Sequence, residues 1–322
     1  MSDTRDVILD MDCGIDDALA VLYLASRPNA RIVAAGSVHG NTPAPLAADN
    51  LLRVLALAGL PDVPVAVGAA RPLVRPIHIA AEVHGEDGLG NTSVGPAPGA
   101  VTGESAPEQL VRLARSAPGR YDLLATGPLT NVGIALLLEP ELPRLLRSVT
   151  VMGGAANASG NASPLAEANI WHDPEAAKLV FDAPWTVTMV GLDVTMRTVL
   201  DEAHIAQLAA GTSPRARFVT AILAHYLDFY ERVSGRRVSP LHDPTAAAVL
   251  ADPGLITDSY LANVDVACSD DARGATIVDR RGGGRPRQLT REPGTRVVTA
   301  VDAERFTGDL VAAMLAEGRR RG

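Results

Sequence analysis

The stretch Val7–Ala18, with the sequence VILDMDCGIDDA, decides the fold of the chain. A run of apolar residues leads into the aspartates of this stretch, and an amphipathic segment follows them. This pattern predicts a buried β-strand, a tight turn at Gly14 and a helix whose start carries Asp16 and Asp17.

This stretch contains four aspartates within eight consecutive residues: Asp10, Asp12, Asp16 and Asp17. Like charges at one strand end repel each other unless something compensates them. A bound divalent cation is the simplest compensation, and hard oxygen ligands suit calcium or magnesium. The alternative places two aspartates on a solvated turn and two at a helix cap. It accounts for Asp16 and Asp17 but not for Asp10 and Asp12, so the metal interpretation is favoured.

Composition restricts the class of protein. The chain has 322 residues, of which 47% are hydrophobic and 20% charged, as in globular enzymes. Its net charge of −8 argues against nucleic acid or an anionic membrane as partner, and few aromatic residues are available for base stacking. A small molecule is therefore the expected partner.

Cysteine content and the amino-terminal sequence bear on location. Two cysteines, Cys13 and Cys268, are too few for a disulfide scaffold. The first six residues are polar, and no signal-peptide or membrane-span pattern follows them. A cytoplasmic location is expected.

Apolar, β-branched segments alternate with helical patterns, which predicts a mostly parallel sheet covered by helices on both faces. The predicted strands are Val7–Asp12, Arg31–Val38, Val63–Val67, Tyr121–Thr126, Ser148–Met152 and Thr186–Leu192. The predicted helices between them are Asp16–Ala25, Ala44–Ala58, Pro107–Ser116, Leu129–Leu138 and Pro174–Phe181. In such sheets ligands bind at the carboxyl ends of the strands.

Helical patterns predominate after about Ala203, and strands return late in the chain. The elements predicted there are helices at Pro214–Val233, from Pro244 and at Ala303–Glu317, and strands at Ala262–Ala267, Thr276–Asp279 and Arg296–Val301. The glycine- and arginine-rich stretch Arg280–Arg287 is expected to be an exposed hairpin turn. No linker or repeat divides the chain, so the fold class is α/β with a single domain over residues 1–322.

Five motifs fall where strands are predicted to end. The first is the aspartate cluster. The others are His39-Gly40-Asn41, the segment 125–131 (ATGPLTN), Met152-Gly153-Gly154 with Gly160-Asn161 and Glu167-Ala168-Asn169, and His242-Asp243-Pro244.

Taken in order, these motifs resemble those of the inosine-uridine-preferring nucleoside hydrolase family. The resemblance runs from Val7 to beyond Pro244, and five motifs in register make a chance match unlikely. Two positions depart from the family pattern: Cys13 stands where proline is usual, and Ala168 where many relatives carry an aromatic. The resemblance implies a Rossmann-like core, with a central mostly parallel sheet flanked by helices, and a homodimer or homotetramer.

The resemblance also implies the chemistry. It implies a Ca²⁺ held by Asp12, Asp17, the backbone carbonyl of Thr126 and Asp243. Asp12 would also act as the base toward a metal-bound water, which attacks the N-glycosidic carbon of a ribonucleoside through an oxocarbenium-like transition state. His242 would protonate the departing base, because a histidine pKa of about 6.5 suits proton donation at neutral pH.

The remaining motif residues are implied to bind substrate. Asp16 and Asn169 would hold the 2′- and 3′-hydroxyls, and Asn41 would line the same end of the site. Asn161 and Glu167 would reach the 5′-hydroxyl, and Met152 would pack beneath the sugar. His84, Tyr226 and Tyr230 would contact the base, whereas a pocket role for His39 is left open.

Two other functions are consistent with parts of the sequence. The pair Asp10 and Asp12 would minimally fit a phosphatase of the haloacid dehalogenase type, but that reading leaves the motifs at His242 and Glu167 unexplained. A non-catalytic nucleoside- or ribose-binding relative is the second alternative. The presence of both the expected base, Asp12, and the expected acid, His242, favours an enzyme.

Overall fold

A computed structural model describes residues 4–92, 95–280 and 294–316. Most of the predicted turn at Arg280–Arg287 lies outside these residues. The strands are β1 (Arg5–Met11), β2 (Ala30–Ser37), β3 (Val65–Ala66), β4 (Tyr121–Ala125), β5 (Ser148–Met152), β6 (Val187–Val190), β7 (Val199–Leu200), β8 (Ser239–Pro240), β9 (Ile256–Ala262), β10 (Val264–Val266), β11 (Thr276–Val278) and β12 (Thr295–Val301).

Helices connect these strands. They are α1 (Ile15–Ser26), α2 (Ala44–Leu57), α3 (Ala81–His84), α4 (Ala106–Ser116), α5 (Thr130–Leu138), α6 (Leu142–Leu145), α7 (Ala168–His172), α8 (Pro174–Asp182), α9 (Leu192–Thr195), α10 (Glu202–Ala209), α11 (Pro214–Ser234), α12 (His242–Ala251) and α13 (Ala303–Leu315). Short 3₁₀ turns occupy Pro253–Leu255 and Asp270–Ala272.

The central sheet has eight strands in the order β3-β2-β1-β4-β5-β6-β12-β9. All neighbouring pairs are parallel except β12 with β9. After β1 the chain builds one side of the sheet with β2 and β3, then returns to the other side of β1 with β4. A crevice forms at such a switch point, outside the carboxyl ends of β1 and β4, and it is the usual ligand site of an open α/β sheet.

Strand β1 is buried on both faces, as a central parallel strand requires. Val7, Leu9 and Met11 join a core that includes residues of α1, α2, α11, α12 and α13, whereas Ile8 joins a core that includes residues of α4, α5 and α8. Asp10 shares the side of Ile8 because alternate residues of a strand point to the same face. It therefore points toward α5, away from α1.

The fold class is confirmed, and the predicted elements up to β6 are present, Ser148–Met152 with the predicted bounds and the others with one or both ends shifted. The predicted strand Ala262–Ala267 corresponds to the shorter β10, which pairs with β11 in a hairpin. Strand β9 of the central sheet was not predicted, because an edge strand with Thr257, Asp258 and Ser259 lacks the apolar pattern of a buried strand. Within the described residues, no helix has both the length and the apolar character needed to cross a membrane.

Candidate functional site

The aspartate cluster lies at the switch point, between the end of β1 and the start of α1. The backbone N–H of Gly14 donates to Asp17 Oδ2 at 2.8 Å, which fixes this carboxylate at the first turn of α1. A Cβ on Gly14 would lie 2.5 Å from Nδ1 of His84 and 2.7 Å from Nδ2 of Asn41. Glycine is therefore needed here so that two other predicted site residues can approach the turn.

Three carboxylates form the tightest acidic set in the described part of the chain. One oxygen from each of Asp16, Asp17 and Asp243 lies within 4.8 Å of the others, and all three residues are buried. Asp16 Oδ1 has no hydrogen-bond partner among the residues that the structure describes. Asp243 lies in the first turn of α12, where Leu241 is the N-cap residue and no side chain caps the helix. An Asp-Pro sequence is typical of a helix N-cap followed by the first helical residue, but Asp243 does not occupy the cap position here.

Asp12 lies beside this set rather than within it. Its Oδ2 accepts a 2.7 Å hydrogen bond from the backbone N–H of Asn41, and its Oδ1 accepts one of 3.1 Å from Asn41 Nδ2. A Cβ on Gly40 would lie 2.1 Å from Asp12 Oδ2, so the loop after β2 can approach Asp12 only with glycine at this position. The structure thus brings Asp12 and Asn41 together, and it groups Asp16 with Asp17 and Asp243 in a set that could hold a cation.

Burial raises the pKa values of all four carboxyl groups. For Asp12 and Asp243 burial is the largest cause, and neighbouring aspartate charges raise the pKa further. Burial and the charge of Asp17 raise the pKa of Asp16 to about 7, and burial also raises that of Asp17. A site of this kind favours either protons or a cation, because either one relieves the buried negative charge.

Thr126, at the end of β4, contacts this cluster with its side chain. Its Oγ1 donates to Asp17 Oδ1 at 2.6 Å. Its carbonyl accepts a 2.7 Å hydrogen bond from Asn169 Nδ2, and the same amide donates to the Met152 carbonyl at 3.2 Å. The structure therefore brings Thr126, Asn169 and Met152 together beside the aspartates.

Asp10 lies behind the site, on the side of α5. Asn131 Nδ2 donates to Asp10 Oδ1 at 2.7 Å and to the Ser37 carbonyl at 2.8 Å. Burial raises the Asp10 pKa to about 7. Asp10 and Asn131 therefore tie the ends of β1 and β2 to the start of α5, a contact that the motif 125–131 did not predict.

Glu167 has a structural task that the sequence did not indicate. Its Oε1 accepts from the Asn169 N–H at 2.9 Å, and its Oε2 accepts from the N–H groups of Gly154 and Ile170 at 3.0 and 3.1 Å. It is thus the N-cap residue of α7. Asn161 is exposed, and its Oδ1 accepts from the Ala168 N–H at 2.9 Å. These contacts hold Glu167 and Asn161 close to Asn169. Their role at the 5′-hydroxyl stays a prediction.

His242 is held between two hydroxyl groups. Its Nε2 lies 2.8 Å from the Tyr230 hydroxyl, and its Nδ1 lies 2.8 Å from Thr195 Oγ1. Tyr230 packs edge-on against Tyr226, with 4.9 Å between ring centroids, and Tyr226 makes a long 3.5 Å hydrogen bond to Asp16 Oδ2. The two tyrosines therefore link His242 to the carboxylates, and Thr195 is a contact that the sequence motifs missed.

Burial lowers the pKa values of both pocket histidines, to about 4 for His242 and about 3 for His84. His84 Nδ1 accepts a 3.1 Å hydrogen bond from the Ile15 N–H, so the proton of the neutral ring is on Nε2. Its ring lies 5.6 Å from that of Tyr226. His84 is therefore fixed between the start of α1 and the tyrosine pair.

His39 belongs to a separate group of contacts. Its Nε2 lies 3.0 Å from Thr130 Oγ1, which donates to Asp173 Oδ2 at 2.7 Å. Asp173 also accepts from the Ala176 N–H and caps α8. The described contacts of His39 do not include the carboxylates of the site.

The chain is similar to known nucleoside hydrolases over nearly its whole length. The chain matches the family model described as inosine-uridine preferring nucleoside hydrolase over residues 7–308. It is 37% identical over 306 residues to the inosine-uridine preferring nucleoside hydrolase of Leishmania major, a match that covers 94% of this chain and 95% of that protein. It is also 37% identical over 280 residues to the pyrimidine-specific ribonucleoside hydrolase RihA of Shewanella woodyi, covering 87% of this chain and 89% of the relative.

Solved structures are similar over nearly the whole chain. A plant nucleoside hydrolase, the PpNRh1 enzyme, superposes with a TM-score of 0.93 at 30% identity and covers 97% of this chain and 99% of its own. A purine-preferring ribonucleoside hydrolase from Gardnerella vaginalis superposes with a TM-score of 0.90 at 30% identity, over 96% of this chain and 98% of that one.

The fold, the buried carboxylates at the switch point and these relatives define the class of protein as an N-glycosyl hydrolase. The chain belongs to the inosine-uridine preferring nucleoside hydrolase family, which confirms the resemblance seen in its motifs. Family membership over this length favours the hydrolase over the phosphatase alternative.

Proposed function

We propose that this protein hydrolyses the N-glycosidic bond of ribonucleosides to free base and ribose in a Ca²⁺-dependent reaction. The observation that carries the proposal is the buried set of Asp16, Asp17 and Asp243 beside Asp12, with Asp16 Oδ1 unpartnered. The names of the relatives, which include inosine-uridine preferring, pyrimidine-specific and purine-preferring enzymes, support a nucleoside substrate and leave the base open.

The donor set fits Ca²⁺. Ca²⁺ takes roughly 6–8 oxygen ligands at about 2.3–2.6 Å, so two oxygens on one ion lie at most about 5 Å apart. The oxygens of Asp16, Asp17 and Asp243 meet this limit, because they lie within 4.8 Å of one another. Asp12, Asp17, the Thr126 carbonyl and Asp243 would hold the ion, with Asp16 close enough to share it. When bound, Ca²⁺ would supply positive charge that increases the acidity of water and orients the ribose diol.

Asp12 would remove the proton from the attacking water. Its carboxylate is oriented by two hydrogen bonds from Asn41, which hold it at the rigid end of β1. As the glycosidic bond breaks, the sugar gains oxocarbenium character, and the surrounding carboxylates stabilise that positive charge more in the transition state than in the ground state.

His242 would protonate the departing base. With a pKa of about 4 its ring is neutral at pH 7 in the substrate-free protein, so the ordinary histidine pKa assumed from sequence does not apply. To act as the acid, the ring must first take up a second proton from solvent, and negative charge that develops on the neighbouring base raises the pKa of the ring and favours that protonated form. The ring then gives this proton to the base and returns to its neutral state. Each ring nitrogen contacts a hydroxyl that can donate or accept, so Thr195 and Tyr230 can support either tautomer.

Thr195 would act as a positioning residue for His242. We expect Thr195→Val to lower kcat about 3- to 10-fold with KM nearly unchanged, because one hydrogen bond contributes about 0.5–1.5 kcal/mol. The acidic limb of the kcat–pH profile should shift as well, and Thr195→Ser should restore both. Thr198→Val is the matched control, since Thr198 is similarly buried and its hydroxyl donates to the Val194 carbonyl rather than contacting His242. An unchanged pH profile in Thr195→Val would exclude the positioning role.

The proposed function is tested with a panel of ribonucleosides, 2′-deoxyribonucleosides and nucleotides, assayed for free base and free phosphate. We expect ribonucleosides to release base and to exceed their 2′-deoxy analogues at least about a hundredfold in kcat/KM, because the polar groups that bind a hydroxyl are left unpaired without it. Phosphate release without base release would support a phosphatase instead. Tight ribonucleoside binding without turnover would support the non-catalytic alternative.

Three further features remain predictions of this proposal. Cys13 and Cys268 are both free, which suits a reducing cytoplasm. A single domain is supported by the central sheet, which runs from β1 to β12, and by α13, whose Phe306 packs edge-on against Tyr23 of α1 with 5.4 Å between ring centroids. A homodimer or homotetramer is expected from the family resemblance alone.

A further inference from the structure

The loop between β5 and α7, residues 153–167, carries Asn161. Residues 156–165 of this loop are all exposed or half-buried, so apolar packing does little to fix their path. One carboxylate fixes the first part of the loop instead. Asp193 accepts hydrogen bonds from three consecutive backbone N–H groups, those of Ala156 at 2.7 Å, Asn157 at 2.7 Å and Ala158 at 3.1 Å.

Asp193 is itself held in place, because it lies in the first turn of α9. The N–H of the preceding residue, Leu192, donates to the Gly154 carbonyl at 2.9 Å, which joins α9 to the start of the loop. Successive backbone N–H groups form a cradle for an anion, and hydrogen bonds to an ionised acceptor are stronger than those between neutral groups. The three bonds to Asp193 therefore fix residues 156–158 relative to α9.

Asn161 follows three residues after this anchored segment. Its backbone N–H donates to the Ala166 carbonyl at 3.1 Å, and its Oδ1 accepts from the Ala168 N–H at 2.9 Å. Because an N–H donor occupies the side-chain oxygen, Nδ2 is the side-chain atom that can donate to a ligand hydroxyl. The position of this donor depends on the path of the loop, and Asp193 fixes that path at its start.

We propose that Asp193 is a positioning residue that sets how strongly the site prefers substrates with a 5′-hydroxyl. The inference rests on the proposed hydrolase function, in which the family resemblance implies that Asn161 reaches this hydroxyl. The carboxylate of Asp193 acts through the loop rather than by touching the sugar. Misplacing a donor in the loop weakens its hydrogen bond to the hydroxyl, whereas a substrate without that hydroxyl has no such bond to lose.

The test compares kcat and KM for the preferred ribonucleoside and for its 5′-deoxy analogue, with Ca²⁺ present, in the wild type, Asp193→Ala and Asp193→Asn. The wild type should prefer the ribonucleoside. In Asp193→Ala the ratio of the two kcat/KM values should fall at least about fivefold, because only the ribonucleoside uses the loop donor. Asp193→Asn keeps one acceptor oxygen and should give a smaller decrease, which keeps the test valid if Asp193→Ala does not fold.

Thr195→Val is the control from the same helix, because Thr195 lies two residues after Asp193 and contacts His242 rather than the loop. It should lower kcat/KM by the same factor for both substrates, since protonation of the departing base does not involve the 5′-hydroxyl. A merely structural role of Asp193 would give the same uniform loss.

Two kinds of failure are distinguishable. If the wild type releases base but shows no preference for the 5′-hydroxyl, or if the ratio in Asp193→Ala and Asp193→Asn equals that of the wild type, the positioning role is overturned and the proposed function stands. If the wild type releases base from no ribonucleoside, the proposed function is overturned and the positioning role with it.

Discussion

Asp12→Ala is expected to lower kcat by at least about a thousandfold, since a general base alone contributes about 10²–10⁴-fold and this carboxylate also belongs to the proposed Ca²⁺ shell. The fold should persist, because removing Asp12 relieves repulsion among buried carboxylates and leaves the hydrogen bonds of Asp17 to Gly14 and Thr126 in place. The measurement is kcat for the preferred ribonucleoside, with circular dichroism and the melting temperature as checks on folding.

Asp10→Asn is the matched control for this variant. Asp10 is as buried as Asp12, lies two residues earlier on β1, and bonds Asn131 rather than the loop that carries Asn41. Its raised pKa, about 7, means that an amide closely imitates its protonated form. We expect activity within about tenfold of wild type, a loss of about 1.4 kcal/mol in transition-state stabilisation at most. Wild-type activity in Asp12→Ala would disprove the proposed role of Asp12, whatever the control shows.

Removal of divalent cations is expected to abolish activity and to lower the melting temperature, and Ca²⁺ should restore both. The Ca²⁺-induced rise in melting temperature should be larger at pH 8 than at pH 5. The Asp16 pKa is raised from 3.8 to about 7, so in the cation-free protein its contribution to stability is fully present below pH 3.8 and is lost as the pH rises through about 7. Ca²⁺ compensates the ionised carboxylates that predominate at pH 8, whereas at pH 5 it must displace protons.

The quantity to compare is the difference between protein with and without Ca²⁺ at each pH, after the chelator has been removed by desalting. His84 and His242 have lowered pKa values, and by themselves they make the fold more stable as the pH rises toward their unfolded value. That trend is common to both samples and cancels. Asp243→Asn should lose most of the Ca²⁺-induced rise. Equal melting temperatures with and without Ca²⁺ at pH 8 would exclude the metal site.

Local sequence patterns predicted the strand, turn and helix around Asp12 and Asp17 because every residue of Val7–Ala18 takes part in one compact unit. Local patterns did not identify a role for His242 and Asp243. Their roles were predicted only through the family resemblance. In isolation their sequence indicates a helix cap, and the structure instead places Leu241 at that position. Pattern reasoning works where the contacts that decide the structure are close along the chain.

Contacts between residues that lie far apart along the chain could not be predicted from local sequence patterns. Thr195 touches His242 across 47 positions, and Asn131 reaches Asp10 across 121. Neither threonine nor asparagine carries a pattern that marks it for such a contact. The family resemblance assigns Glu167 to substrate binding, and local patterns did not show that it also caps α7. The lowered pKa of His242 reflects its burial in the folded chain, where it contacts Tyr230 of α11, and no local motif predicts that burial.

The switch point also has a consequence for how the protein is made. Asp12 and Asp17 leave the ribosome early, but Asp243 and the buried helix α12 that packs against α1 follow only near the end of synthesis. Chains fold from the amino-terminal side during synthesis, so the first carboxylates meet solvent before their partner exists. A polypeptide that stops before α12 therefore carries the aspartates of Val7–Ala18 but lacks Asp243, so we expect it to be inactive although its first motif is complete.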